Sequence, residues 1–418
     1  MCIRDRGDFA WRMQFNPWSF QEKAALFWHQ LFATGYGKVD NPALMQKQLI
    51  LFRTQGRARF GDLLLALSQD PAMLIWLDSV QNRVRPGTTD VANENYAREI
   101  MELYSLGVDN GYNQTDITNL ARAFSGWTFT PLDIQVNPNN ANDKKPSDGA
   151  FRIDTRYHAT GSVTFLGRTF DLDTASRLGQ DLVGAILTER PQQCAEFLAK
   201  RLLRFFAHPA PEAQVIRDLQ ADIQALGFDM GRIFKHLLGS AWLYGAANRH
   251  ALYEGPVAWT VRMARLLGSP LPSAATATPL PAFPAWRLVA QPGFAGAGQS
   301  VLDPEGPNGW HEHEGWINSN TLRWRARLAT ALTLKETSGT LPLFPTDVAT
   351  WFPVAPGTSR AVFDRLTALL QPAAIPTPVR DGWLASLWPA SFLWDATGQQ
   401  KARQLACLIL TSPYAQLH

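Results

Sequence analysis

Residues Asn93 to Val108 read NENYAREIMELYSLGV, three glutamates and an arginine in a stretch otherwise built like helix interior. At 100° per residue, Tyr96, Ala97, Ile100, Met101, Leu103 and Tyr104 fall on one arc of about 160°, and Asn95, Arg98, Glu99 and Glu102 take the opposite arc. Arg98 is four residues from both Glu94 and Glu102, the spacing at which helical side chains meet. Such a face admits two readings. It is a solvated surface with two ordinary ion pairs, each contributing about 0.3–0.5 kcal/mol. Or its carboxylates hold a cation or move protons, with Arg98 orienting them or lowering their pKa. Hard oxygen ligands would suit Ca²⁺, Mg²⁺ or Mn²⁺, and adding His29 or His158 would favour Zn²⁺, Mn²⁺ or Fe²⁺.

Few other residues offer chemistry. HEHEG (His311 to Gly315) is the densest His/Glu cluster. Its histidines are two apart, which converges on one metal only in a strand or an open loop, so a solvated loop is expected. His29, beside Trp28 in a helical run, reads as a hydrogen-bonded core residue or a metal ligand. His158 falls at a strand end beside a glycine turn, where sites are built on loops. There is no GxSxG elbow, no Walker A and no GxGxxG at a strand–helix junction. Cys2, Cys194 and Cys407 form neither a disulfide framework nor a metal spacing. The 15 tryptophans could serve as sugar-stacking platforms, but most lie in apolar runs and read as core.

The elements that must hold these residues are helical. With 418 residues, 46% of them hydrophobic and 18% charged, the chain can bury a large core. Its 39 basic and 36 acidic residues show no Lys/Arg stripe, which excludes nucleic acid as a partner class. No run reaches the 18 or so apolar residues of a transmembrane helix. SFQEKAALFWHQLFATG opens with Ser19 and Glu22 in capping-box spacing. Helical periodicity then recurs at about 42–55, 59–69, 71–79, 93–106, 115–124, 174–188, 191–206, 211–226, 229–243, 255–267, 320–334, 358–371, 380–388 and 398–411. Gly107 stops one helix, Asp109-Asn110-Gly111 turns the chain, and Asn113 or Thr115 caps the next.

Two stretches break the pattern. Pro131 to Ala150, rich in Asn, Asp and Pro, reads as a mobile loop or lid. After it, FRIDTRYH and SVTFLGRTF alternate like a β-hairpin inserted at about 127–172. Gly268 to Trp286, rich in Pro, Ala and Thr, reads as a joint at 268–286 between a helical core (9–267) and a C-terminal helical part (287–418). The expected fold is mainly α, a multi-helical globular domain with a small β-hairpin insertion. The opening MCIRDR resembles translated adapter sequence, so residues 1–8 are set aside as a leader and any export signal is expected to be missing.

The run Asn93-Glu94-Asn95-Tyr96-Ala97-Arg98-Glu99, with Glu102-Leu103, Leu106-Gly107, Asp116, Leu120-Ala121-Arg122-Ala123 and Gly126-Trp127, resembles the signature of the family called domain of unknown function 1800. EKAALFWHQLF, DPAMLIWLDS, CAEFLAKRLLRFF, Gly309-Trp310, WINSNTL and LILTSPY extend the resemblance over nearly all of 17–415. It implies a bacterial, mostly helical, often exported protein, hence a periplasmic or extracellular location. It also implies a possible neighbour resembling phosphatases and sulfatases. It supplies no catalytic residues. This sequence departs from the family pattern where Ala159 stands for an acid, Val163 for a lysine, Arg190 for a histidine, and Glu254 and Ala258 for a lysine and a glutamate.

Two functions remain open. One is a metal-assisted hydrolase of the envelope, with Glu99, Glu102 and His158 catalytic and His29, Glu99 and Glu102 as metal ligands. Asn95, Arg98, Asp116, Arg122 and Trp127 would orient the site or bind substrate. The other is a non-catalytic scaffold that binds the phosphatase- or sulfatase-like neighbour or a cell-wall polymer, its Asn/Glu/Arg face being a polar network between helices.

Overall fold

The computed structural model describes residues 3–16, 18–130, 133–135, 144–146, 149–173, 177–268, 293–334 and 348–417. Most of the expected 131–150 loop and all but Gly268 of the 268–286 joint lie outside the described residues.

Helices α1 (Ile3–Phe15), α2 (Ser19–Leu31), α3 (Tyr36–Val39), α4 (Pro42–Gln55), α5 (Phe60–Ser68) and α6 (Pro71–Trp76) lead to α7 (Asn95–Glu102) and α8 (Gln114–Ala123). Residues 3–8, set aside from the sequence, form the start of α1, and Arg6 meets Asp303 at 3.2 Å. The Ser19/Glu22 capping box does not form. Trp18 precedes the helix without a side-chain cap, and Glu22 is turned inward to accept from Arg53 Nε at 2.8 Å. A buried ion pair between α2 and α4 has displaced a surface cap. Asn113 does cap α8, reciprocally with Asp116.

The insertion carries short antiparallel pairs: β1 (Trp127–Phe129) with β4 (Phe151–Ile153), β2 (Asp133–Gln135) with β3 (Lys144–Pro146), and β5 (Ser162–Phe165) with β6 (Arg168–Asp171). The hairpin is therefore SVTFLGRTF alone, not FRIDTRYH paired with it. Leu166 and Gly167 both take positive φ (51° and 89°), the two-residue turn whose twist suits a hairpin. Phe151–Ile153 instead closes on the strand after α8.

Helices α9 (Leu178–Glu189), α10 (Pro191–Phe206), α11 (Ala213–Ala225), α12 (Met230–Gly239) and α13 (Pro256–Leu266) follow. The C-terminal part adds α14 (Ser319–Thr333), α15 (Val348–Trp351), α16 (Ser359–Leu370), α17 (Thr377–Leu387) and α18 (Ala396–Thr411). One hydrophobic core runs through both parts, from Phe27 and Trp28 to Trp259 and Ile409. Polar seams tie them: Leu302 N donates to His29 Nε2 at 3.0 Å, and Gln30 Nε2 donates to the Trp310 carbonyl at 2.8 Å. Both Gly-Trp motifs are explained by close approach. At Gly126 (φ 73°) a Cβ would fall 2.6 Å from the Asp154 carbonyl oxygen, and at Gly309 (φ 84°) it would collide with that of Gln30.

Candidate binding cleft

The α7 face forms as its spacing predicts. Tyr96, Ala97, Ile100, Met101 and Tyr104 are buried, and Arg98 bridges Glu94 and Glu102, at 3.1 Å each. Gln114 and Thr118 of α8 also donate to Glu94, at 2.8 and 2.7 Å, and the Thr118 hydroxyl leads in holding its carboxyl below the usual value. Asn95 Nδ2 reaches Asp78, which pairs with Lys38. The face is thus an ion-pair network between α7, α8 and neighbouring turns. Glu99 alone is left over: its Oε2 is enclosed without a hydrogen-bond partner, and burial, then the charge of Glu102, raise its carboxyl.

The other sequence-predicted residues lie elsewhere. Asp116 Oδ1 accepts from Leu166 N at 2.8 Å, pinning the β5–β6 turn to α8. Arg122 is half-buried on the same helix. Trp127 is core, packed at steep ring angles between Phe124 (56°) and Phe151 (70°). His158 spans two carbonyls, Ser125 O at 2.6 Å from Nδ1 and Leu172 O at 3.2 Å from Nε2, so its ring is a strut across the insertion. His29 is fully enclosed with its ring edge against Trp310, and burial drops its pKa to about 3. Its Nε2 lone pair is taken by Leu302 N–H, so the proposed ligand set His29, Glu99 and Glu102 does not assemble. Among the described residues, no group of three or more His, Cys, Asp or Glu side chains is arranged to hold a metal ion.

A concave site does exist, away from the α7 motif. A cavity of about 1040 Å³ opens where α2, the end of α10, the 243–252 segment and α13 meet. Its apolar wall includes Phe20, Phe206, Leu243 and Tyr244, and its charged wall Lys23, Arg249, Arg262 and Arg265. A chamber of about 60 Å³ adjoins it, sharing Lys23, Phe206, Leu252, Glu254 and Ala258, and is closed by Arg204, Glu312, His313 and Trp316.

The carboxylates here are already engaged. Glu254, 6% exposed, holds Arg262 Nε at 2.6 Å and faces Lys23 Nζ at 3.9 Å. Glu312 takes Arg204 at 3.1 Å and Arg201 at 3.6 Å. The large cavity is therefore cationic, with four basic side chains against one paired acid. HEHEG is not a solvated loop throughout: His311 is exposed, but His313 is buried in a 3₁₀ turn with φ 51°.

The positions expected to depart from the family pattern fall into two groups. Ala159 and Val163 are buried, where apolar residues need no partner. Arg190 donates to the carbonyls of Gly111 and Glu189. Glu254 and Ala258, by contrast, both line the cleft. The sequence signal for this site was Glu254 and Ala258, expected to depart from the family pattern, with KRLLRFF and HEHEG beside them in space but in distant parts of the chain.

The family described as Protein of unknown function (DUF1800) matches residues 4–417, and the chain belongs to it. No curated protein and no solved structure matches the chain. No helix among the described residues is long and apolar enough to cross a membrane.

Proposed function

We propose that this protein is a binding module that takes an anionic ligand with a substantial apolar or ring face into the cleft between α2 and α13. One observation carries this reading. A cavity of drug-ligand size or larger is lined by Lys23, Arg249, Arg262 and Arg265 together with aromatic and aliphatic side chains, and its single carboxylate is already paired. Converging cations raise the local concentration of anions and draw them in.

This is the scaffold or binding-partner alternative, with an acidic polymer of the bacterial envelope as the ligand class. The periplasmic or extracellular location and the phosphatase- or sulfatase-like partner belong to the same proposal. The metal-assisted hydrolase reading is disfavoured because, among the described residues, Glu99, Glu102, His158 and His29 form no group arranged to hold a metal ion, and both ring nitrogens of His158 and Nε2 of His29 contact main-chain groups.

The test is calorimetric titration with short oligogalacturonate, oligoglutamate and neutral dextran at low and high salt. The parent binds both anions, more weakly as salt rises, and ignores dextran. Arg249→Glu/Arg265→Glu loses about tenfold or more in affinity for both anions. Equal binding by parent and variant would sink the assignment of this cleft.

A further inference from the structure

Nine non-glycine residues among those described take positive φ, and three of them, His250, His313 and Gln371, line the two cavities. Left-handed backbone costs a non-glycine residue free energy and persists where the surrounding fold imposes it. The His313 side chain is also only 8% exposed, and its Nε2 has no hydrogen-bond partner. Its nearest charged neighbour is Glu312 Oε2, 4.0 Å away and itself clamped by Arg204 and Arg201.

The two cavities differ in what they can accept. In the large one, cations outnumber acids. In the small chamber Lys23 and Arg204 are balanced by Glu254 and Glu312, so it offers no net attraction to a second anion. Its polar side chains are mostly spent: Gln30 on the Trp310 carbonyl, Gln299 on Val257 N–H. The ring of His313 is the enclosed polar group there that still lacks a hydrogen bond. A volume of about 60 Å³ holds roughly two waters, the size of a hydroxyl or hydroxymethyl group.

We propose that the small chamber is a subsite for a neutral hydroxyl group, read by His313, and that the ligand is accordingly an acidic sugar, its carboxylate among Arg249, Arg262 and Arg265 and its ring against Phe20 and Phe206. This rests on the anion-binding reading of the large cavity and adds a requirement for hydroxyls. It also accounts for the strained histidine. A residue kept in left-handed backbone for stability alone would be better served by glycine.

His313→Gly is the discriminating variant, because it removes the ring while relaxing the backbone. We expect its melting temperature to equal or exceed the parent's. Its affinity for oligogalacturonate should fall about tenfold or more, and its affinity for oligoglutamate of equal charge should stay within about twofold. His313→Gln, which keeps a polar end, should recover part of the loss. Unchanged oligogalacturonate affinity in His313→Gly would overturn the subsite while leaving the anion cleft intact. A lower melting temperature with equal weakening toward both anions would also overturn it, by making His313 a structural residue. Failure of the Arg249→Glu/Arg265→Glu variant to weaken either anion separates collapse of the parent reading from collapse of this one.

Discussion

Glu254 and Arg262 form the tightest ion pair of the cleft, 2.6 Å from Oε2 to Nε, with the carboxylate nearly sealed from solvent just before α13 and the guanidinium two turns into it. The acid of this junction stands at 254, with its cation at 262.

Replacing Glu254 with glutamine should expose that arrangement. Arg262 and Lys23 would face a neutral amide in a buried setting, and loss of one partner of a buried pair costs about 3 kcal/mol. Denaturant titration should show that loss. Calorimetry on the remaining folded protein should show tighter binding of oligogalacturonate, because the cleft's one acid is gone. Lower stability with weaker anion binding would mean that Glu254 holds the cleft open instead of tuning its charge.

Glu99→Gln predicts the opposite sign. Its carboxylate has one enclosed oxygen without a partner, and burial and Glu102 both disfavour the charged form. A raised folded-state pKa makes ionisation a cost above that pKa, so the neutral amide should raise the melting temperature at pH 7. The gain should shrink as acid protonates the parent. A decrease at pH 7 would show that the charge is used, and would reopen the acid–base role.

His158→Ala should separate architecture from function in the insertion. The ring lies between the Ser125 and Leu172 carbonyls, and when it goes one buried acceptor loses its N–H donor and the other its packing partner. The cost is about 2–3 kcal/mol, with affinity for either anion unchanged. A variant of parental stability that had lost binding would return His158 to the list of site residues.

The helices and the family signature were legible because both are local. Helical periodicity and caps such as Asn113 are set by neighbours within a few residues. The i,i+4 pairs around Arg98 follow from spacing in the same way. What the spacing left open was whether that face closes on itself or opens to a ligand, which depends on Gln114 and Thr118 of the next helix. The hairpin was misassigned by one strand because alternation marks a strand without naming its partner. The cleft was the least legible feature. Lys23, Arg204, Glu254 and His313 come from four separated segments, each ordinary alone, and only the long-range packing of α2, α10 and α13 with the 311–316 turn makes them neighbours.

Two buried titrating groups should oppose each other in acid. His29 has its pKa lowered to about 3 by burial, while Asp70, the cap of α6, has its pKa raised to about 6, burial outweighing the donors Met73 N and Gln48 Nε2. For His29 the folded value lies below the ordinary 6.5, so the unfolded chain binds the proton first, and stability is lost as pH falls from about 6.5 toward 3. For Asp70 the folded value lies above the ordinary 3.8, so the native state binds the proton first, and stability is gained as pH falls from about 6 to 3.8. Each group works at roughly 1.4 kcal/mol per pH unit inside its window, and the windows overlap, so the parent should change little from these two groups between pH 6 and 4. Single variants should remove the cancellation. Asp70→Asn should lose stability relative to the parent on acidification, and His29→Gln, which keeps an acceptor for Leu302 N–H, should gain it. Chemical denaturation of all three proteins at pH 7, 5.5 and 4.5 reads the difference directly. Parallel pH profiles for parent and variants would mean that neither group is held in the protonation state its burial dictates.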